Sequence, residues 1–411
     1  MNIRETENMV SDSASPLTSS KIFNVLFISV FSAMLGMGII VPLMPIYAQT
    51  MGATGIWLGM IFSGFSISRL VFMPYVGKMS DRVGRRSFIL LGLFIYSILS
   101  IAYILAYDVY TLTAVRFVHG FASAMVIPVA MAYVSEISPQ GREGEHMGTF
   151  TISLFLGIGF GPLIGGVIKD SLGFNSVFYS MAILTAFAFF MCLLFLPDKR
   201  IHIENKVPLN LNIITQNKLI GSVFLFRFLY ALGRGGIMSF LPILAADMYL
   251  NATQIGVIIS MNVLLNAVLQ RPFGRLADRV SKMLLIVMGL LISAASLLAI
   301  PLAYDFFTLL ALASLMGLGG ALSIPAAMAI IVVEGRKYGH GSLMGLFNSA
   351  MSLGMIVGPL LSGWIMDTVN INFVFYTSGL VTFMGTGLLI GIQRGEYARI
   401  KSSVENKTRT D

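Results

Sequence analysis

The sequence predicts an all-α integral membrane protein, with 12 transmembrane helices arranged as two pseudo-symmetric six-helix bundles. Three observations carry that reading. Of 411 residues, 56% are hydrophobic and only 11% charged, against about 25% charged in soluble domains. Twelve apolar stretches recur, each near the roughly 20 residues a helix needs to span a bilayer. Finally, the chain matches itself when shifted by 197 residues, without gaps.

The stretches run over 22–48, 56–77, 87–106, 109–135, 147–168 and 174–196, then 219–246, 254–274, 283–302, 306–333, 341–366 and 372–393. They are continuously apolar rather than alternating, so they read as helices and not as barrel strands. Residues 21–197 form the first bundle and 219–393 the second, joined by a polar cytoplasmic linker at 198–218. Residues 1–20, rich in Ser, Glu and Asn, read as a disordered cytoplasmic tail with no cleavable signal pattern. Residues 394–411 read as a second, basic tail. The single cysteine, Cys192, lies in an apolar span and excludes an internal disulfide.

The shift pairs GIGFGPLIGG at 157–166 with GMIVGPLLSG at 354–363, and GKMSDRV at 77–83 with GRLADRV at 274–280. It also pairs Gly36 with Gly233, Pro45 with Pro242, Gly59 with Gly256, Gly120 with Gly317 and Pro128 with Pro325. Asp108 and Asp170 pair with Asp305 and Asp367.

The net charge of +8 is distributed by side. Lys78, Arg82, Arg85, Arg86, Arg142, Lys199, Arg200, Lys206, Lys218, Arg275, Arg279, Lys282, Arg336 and Lys337 fall on alternate connections. The opposite connections carry Asp108, Asp170, Asp247, Asp305 and Asp367. This bias places both termini and the linker in the cytoplasm, so the basic balance reports topology and not a nucleic-acid partner.

Gly157, Gly161 and Gly165 repeat every four residues, beside Gly166, and line a helix face that admits a close neighbour. Pro162 removes a backbone donor and kinks the helix. Gly354, Gly358 and Pro359 repeat the device. The segment GKMSDRVGRR, starting at Gly77, occupies the connection between the second and third spans. Asp81 stands four residues before Arg85, a spacing suited to an ion pair on a helical turn, with Arg82 between them. A carboxylate there can also cap a neighbouring helix, which reads as a conformational latch, and Asp278 is its match in the second copy.

These motifs resemble those of the Major Facilitator Superfamily, in its twelve-helix drug:proton antiporter branch. GKMSDRVGRR resembles the signature of the second connection, Arg116-Phe117-Val118-His119-Gly120 the fourth-helix core, and GIGFGPLIGG the fifth-helix antiporter motif. GMGIIVPLMPIY at 36–47 resembles the first-helix motif. The resemblance covers residues 21–393. It implies two halves rocking about a central cavity near the bilayer midplane. It implies that Asp81 docks on helix eleven when the cytoplasmic side closes, while Arg85 pairs with an acid at the inner end of helix four, for which Glu136 is the candidate. It also implies proton-driven export with no cofactor.

Where the copies disagree, the repeat leaves charge unexplained. Arg69, Arg116, Arg227 and Arg234 meet Asn266, Ala313, Val30 and Met37 at the common shift. A buried arginine is costly and should face a wet cavity or a partner. Arg69 and Arg227 have the strongest claim on the cavity; Arg234 has an alternative partner in Asp247. Arg116 reads equally as structural or as part of a proton relay. His119, one turn beyond it, is either a packing residue or a proton carrier. Asn262, Asn266 and Gln270 make a polar stripe that lines the cavity or joins helices. No carboxylate falls mid-membrane in the first, fourth or seventh spans, although such an acid commonly serves exporters of cations.

The leading reading is therefore a monomeric, proton-coupled exporter of small amphipathic or drug-like molecules in the cytoplasmic membrane, with the bilayer and a small-molecule substrate as its partners. The alternative is a dedicated exporter of an anionic metabolite such as a carboxylate siderophore. Uptake, or a non-transporting sensor, is disfavoured. No catalytic, metal-ligand or nucleotide-loop pattern supports an enzyme.

Overall fold

A computed structural model describes residues 16–139, 142–197 and 213–407. Among them, 12 helices are long and apolar enough to cross a membrane. The first half comprises α1 (Pro16–Ile40), α2 (Gly55–Val83), α3 (Arg85–Leu105), α4 (Val109–Ile137), α5 (Glu143–Leu172) and α6 (Phe174–Phe195). The second comprises α7 (Lys218–Asp247), α8 (Ala252–Ala277), α9 (Lys282–Ala299), α10 (Phe306–Tyr338), α11 (His340–Thr368) and α12 (Ile371–Lys407). Apolar side chains such as Ile183, Phe187, Phe383 and Met384 are exposed on the outside, as lipid-facing helices require. The chain is a multi-pass membrane protein.

Several expected boundaries shift, each for a local reason. The first span breaks at Ile40 and resumes as a short helix, Met44–Thr50, because Pro42 and Pro45 cannot donate to the helical ladder. The segment expected as a connection after Gly77 is instead the last turns of α2, and Gly84, at φ 119°, makes the whole link to α3. Pro16–Ser20 already belongs to α1, and α12 continues to Lys407, so both expected tails are partly helical. Residues 1–15, 198–212 and 408–411 lie outside the described residues.

Helix starts follow the repeat. Asp108 accepts from the Thr111 backbone at 2.7 Å, and Asp305 from that of Thr308 at 2.8 Å, each closing a capping box. Those hydrogen bonds hold both carboxyls below the usual carboxylate range. Gly52 and Tyr249, also 197 apart, both adopt positive φ at the turns that precede α2 and α8.

Topology puts Asp108, Asp170, Asp247, Asp305 and Asp367 at one end of the helices, and Arg82, Arg85, Arg275, Arg279 and Lys282 at the other. At the acidic end, one apolar cluster spans both halves, joining Ile39, Leu58 and Met181 to Leu241, Ile259 and Phe375. Toward the basic end the core divides: one cluster holds Leu26, Tyr96 and Phe150 of the first half, another Phe226, Ile286 and Leu346 of the second.

The same helix faces show this divergence. On α2, Gly55 and Gly59 lie against the backbones of Gly363 and Pro359 on α11. On α8, Ala252 and Gly256 lie against the backbones of Gly166 and Pro162 on α5. Followed along those faces at about 100° per residue, α2 reaches Gly77, α5 Gly148 and α8 Gly274. There a methyl group added at Gly77 or Gly148 meets nothing within 4 Å, and at Gly274 only Pro325 of the same half. The halves are wedged together at the acidic end and parted at the basic end.

Two carboxylates fasten the closed end. Asp170, at the end of α5, accepts from Ala252 N (3.2 Å), Thr253 N (2.7 Å) and Thr253 Oγ1 (2.8 Å) at the start of α8. Asp367, at the end of α11, accepts from Gly55 N (2.6 Å) and Ile56 N (2.8 Å) at the start of α2. Each half thus caps a helix of the other, where unsatisfied N–H groups and the helix dipole favour an anion. Ser63 Oγ donating to Ile356 O (2.7 Å) and Ser260 Oγ accepting from Leu163 N (3.0 Å) add one crossing bond on each side.

Candidate functional site

Where the two faces part, α1, α2, α4, α5, α7, α8 and α11 enclose a cavity of about 250 Å³. Three arginines reach it from three helices: Arg69 from α2, Arg116 from α4 and Arg234 from α7. The rest of the wall is mostly apolar, with Met37, Phe62, Phe65, Met238, Ile259, Val263, Met351 and Met355, and no Asp or Glu lines it.

Arg116 is the most confined of the three, at 2% exposure. Its guanidinium lies 4.7 Å from the Phe65 ring centroid and 5.4 Å from that of Phe62. Tyr103 presents its hydroxyl to it, but Nε and Nη1 have no hydrogen-bond partner. Cation–π contact is worth about 2 kcal/mol or somewhat more when desolvated, which does not replace the lost hydration of a guanidinium.

His119 does not reach the cavity. It is fully buried behind Phe65, with Nδ1 bonded to the Tyr103 hydroxyl at 2.7 Å and rings of Phe65 and Tyr96 packed edge-on. Its Nε2 has no partner.

Arg227 also stays outside the wall. Its Nη2 donates to Met351 Sδ at 2.8 Å and its guanidinium stacks 4.6 Å from the Phe347 centroid, so Met351 stands between it and the cavity. Arg234 faces the cavity rather than Asp247, which lies thirteen residues on, about 20 Å along α7.

The polar stripe of α8 joins helices instead of lining the cavity. Asn262 Nδ2 donates to Ala313 O (2.7 Å), Asn266 Nδ2 to the Tyr230 hydroxyl (3.2 Å), and Gln270 Nε2 to Asn266 Oδ1 (2.9 Å). Both asparagines are buried between α8 and its neighbours, where a satisfied amide costs little and an unsatisfied one costs much.

The latch candidates form a separate cluster at the basic end. Arg85 is buried, pairs with Asp81, and donates through Nε (3.0 Å) and Nη2 (2.7 Å) to Glu136 Oε1. Its Nη1 donates to Ser80 Oγ (2.6 Å), which bonds the Gly77 carbonyl (2.8 Å). Arg82 is exposed. In the second copy the positions of Arg85 and Glu136 hold Lys282 and Val333, and Asp278 is exposed at the end of α8. Among the described residues, the ion pairs of this network lie in the first half.

The Gly/Pro candidates divide between two surfaces. Gly157, Gly161 and Gly165 admit the α1 backbone near Leu35, Gly38 and Ile39, while Gly354 and Gly358 admit α7 near Leu232. Gly166 and the carbonyls of Pro162 and Pro359 meet the opposite half. Sequence reasoning overlooked Asp170 and Asp367 as cross-half caps, although their pairing in the repeat beside helix starts was the available signal. It also overlooked the Phe62, Phe65 and Tyr103 surroundings of Arg116, for which a chain with 30 Phe and 14 Tyr offers no signal.

A family model described as the Major Facilitator Superfamily matches residues 26–222 and again 223–409. An uncharacterized MFS-type transporter of Methanocaldococcus jannaschii is 31% identical over 368 residues, covering 88% of this chain and 95% of the relative. Multidrug resistance protein 2 of Bacillus subtilis is 27% identical over 380 residues, covering 89% and 94%. Among solved structures, a bacterial homologue of the human lysosomal transporter Spinster, inward-facing and occupied, superimposes with a TM-score of 0.76 at 14% identity, covering 93% of this chain and 98% of the other. The doubled match repeats in sequence what the paired clamps and wedge show in structure: the chain belongs to the Major Facilitator Superfamily, and is a membrane transporter rather than an enzyme.

Proposed function

We propose that this transporter exports small amphipathic molecules across the cytoplasmic membrane by alternating access, in exchange for protons. One observation carries the reading: a cavity between the halves, clamped shut at the acidic end and parted at the basic end. Positive residues concentrate on the cytoplasmic side of membrane proteins, so the basic end faces the cytoplasm together with both termini. The conformation is then the inward-open one that loads cargo from inside. A relative that carries the name multidrug resistance protein supports drug-like export. Mostly apolar walls with a few polar groups suit an amphipathic guest.

Two groups are the candidates for carrying the proton. His119, with the Tyr103 hydroxyl and Arg116, adjoins the cavity wall; the Asp81–Arg85–Glu136 cluster sits at the cytoplasmic mouth. The test is reconstitution into liposomes with an imposed pH gradient and a panel of anionic, neutral and cationic solutes. Saturable flux that accelerates with the gradient is expected. Saturable flux indifferent to it refutes proton exchange, and absence of flux for the whole panel refutes export.

A further inference from the structure

We propose that the cargo is an amphipathic monoanion, a carboxylate or similar oxyanion on an apolar body, held by Arg116 together with Arg69 and Arg234. The proposal rests on the transporter reading and adds the charge of the substrate to it.

The contrast between two buried arginines carries the argument. Arg85, at 5% exposure, is surrounded by what a structural guanidinium needs: Asp81, Glu136 and Ser80. Arg116, at 2% exposure, has aromatic rings and a tyrosine hydroxyl but no carboxylate, and two of its nitrogens are unpartnered. It borders a cavity to which two further arginines contribute and no acid does. Three guanidinium groups around one space, with no Asp or Glu on its wall, define the chemistry of the guest: planar oxygen acceptors complement their forked donors. A cation there would meet three like charges.

The walls define the other end of the guest. Met37, Met238 and Met355 offer flexible thioethers, with Phe62 and Ile259 beside them. Such a surface accepts apolar bodies of varied outline. None of the three arginines comes from the duplication, whose matching positions are Asn266, Ala313 and Met37. The anion grip is therefore asymmetric across the halves, with Arg69 and Arg116 in the first and Arg234 in the second. An anion bound to both halves bridges them at the point where they part.

The test uses purified full-length protein and three probes sharing one ring system: 1-naphthoate, 1-naphthylmethanol and 1-naphthylmethylammonium. Binding is read by ligand-induced thermal shift and by titration in detergent, and flux by counterflow in proteoliposomes. Naphthoate is expected to bind at least tenfold more tightly than the alcohol, with the ammonium weakest. Arg116→Met should erase that preference, Arg116→Lys should retain part of it, and Arg69→Met and Arg234→Met should each weaken it severalfold. If Arg116→Met does not fold, the probe order on the unaltered protein and the other variants decide. Binding of the ammonium as tight as that of naphthoate, equal binding of all three, or no naphthoate binding up to millimolar concentration overturns the proposal. Flux of the alcohol or ammonium without naphthoate binding overturns the charge assignment and leaves export standing. Naphthoate binding with no flux of any probe does the reverse.

Discussion

Buried guanidinium groups in this chain have opposite effects on stability according to their neighbours. Glu136→Gln should destabilise the protein by about 2–3 kcal/mol, read as a lowered melting temperature, because it removes a carboxylate that accepts two bonds from the buried Arg85. Arg116→Met should raise stability, by about 1–2 kcal/mol, because it removes a desolvated charge with no carboxylate partner. A variant that melts higher yet loses ligand identifies a residue kept for binding. At an effective dielectric of about 20, a unit charge about 6 Å from a guanidinium interacts by about 3 kcal/mol, which is the scale of charge discrimination the proposed site would show. Tyr249 offers a simpler case: it is 97% exposed at φ 60°, where the first copy has Gly52. Tyr249→Gly should stabilise by up to about 1 kcal/mol in thermal unfolding, as strain relief outweighs the entropy of glycine. At this scale the sequence disclosed which charges the repeat does not explain. It did not disclose that His119, Asn262 and Asn266 turn away from the cavity, since the rotation of a helix that is apolar on every side leaves no periodic trace.

The helices themselves were far more legible, because hydrocarbon demands a full complement of internal backbone bonds and so a long, uninterrupted apolar run for each crossing. The errors fell at ends, where local chemistry outweighs hydropathy: Pro42 interrupts the first span, while α2 runs on to Val83 because nothing before Gly84 stops it. Helix ends also hold the conformational balance. Asp170→Asn and Asp367→Asn each weaken one cross-half cap, and the paired variant should shift the population toward closure of the basic end. A cysteine placed at Gly77, which faces open space, should then be labelled severalfold more slowly by a water-soluble maleimide; unchanged labelling would sink this account of the clamps. The capping boxes at Asp108 and Asp305 bear on folding instead. Their carboxyls are held low in the folded protein, so their stabilisation is complete above the unfolded value near 3.9 and is lost as pH falls through the depressed folded value. The melting-temperature gap between the unaltered protein and an Asp108→Asn, Asp305→Asn variant should be constant from pH 8 to about 5 and shrink only below about 4.

At the scale of the molecule, the two-half architecture was readable from one constant shift, and the paired contacts confirm its register: Gly120 meets Phe65 as Gly317 meets Asn262, and Gly92 meets Ala122 as Gly289 meets Gly319. Which end stands open was not readable, because inward- and outward-open states use the same helices and the same sequence. An anionic cargo would make the whole proposed cycle sensitive to voltage. In the proposed cycle, export of an anion and entry of a proton would both carry positive charge inward, and each elementary charge is worth about 2.3 kcal/mol per 100 mV. With no pH gradient, a negative interior potential imposed with valinomycin should therefore accelerate naphthoate efflux severalfold, and reversing its sign should slow it.

The paired aspartate clamps have a further consequence for how such a chain can be assembled. Each half carries one acid and one receptive helix start, Asp170 with Gly55 in the first and Asp367 with Ala252 in the second. The seal is thus an isologous contact, of the kind by which two identical subunits close around a twofold axis. The first half contains everything needed to close that rim upon a second copy of itself. Such a homodimer would surround its central space with Arg69 and Arg116 twice over and would lack Arg234 and Met238 entirely. Closure rests on what the two halves share, whereas the arginines of the cavity are what they do not share.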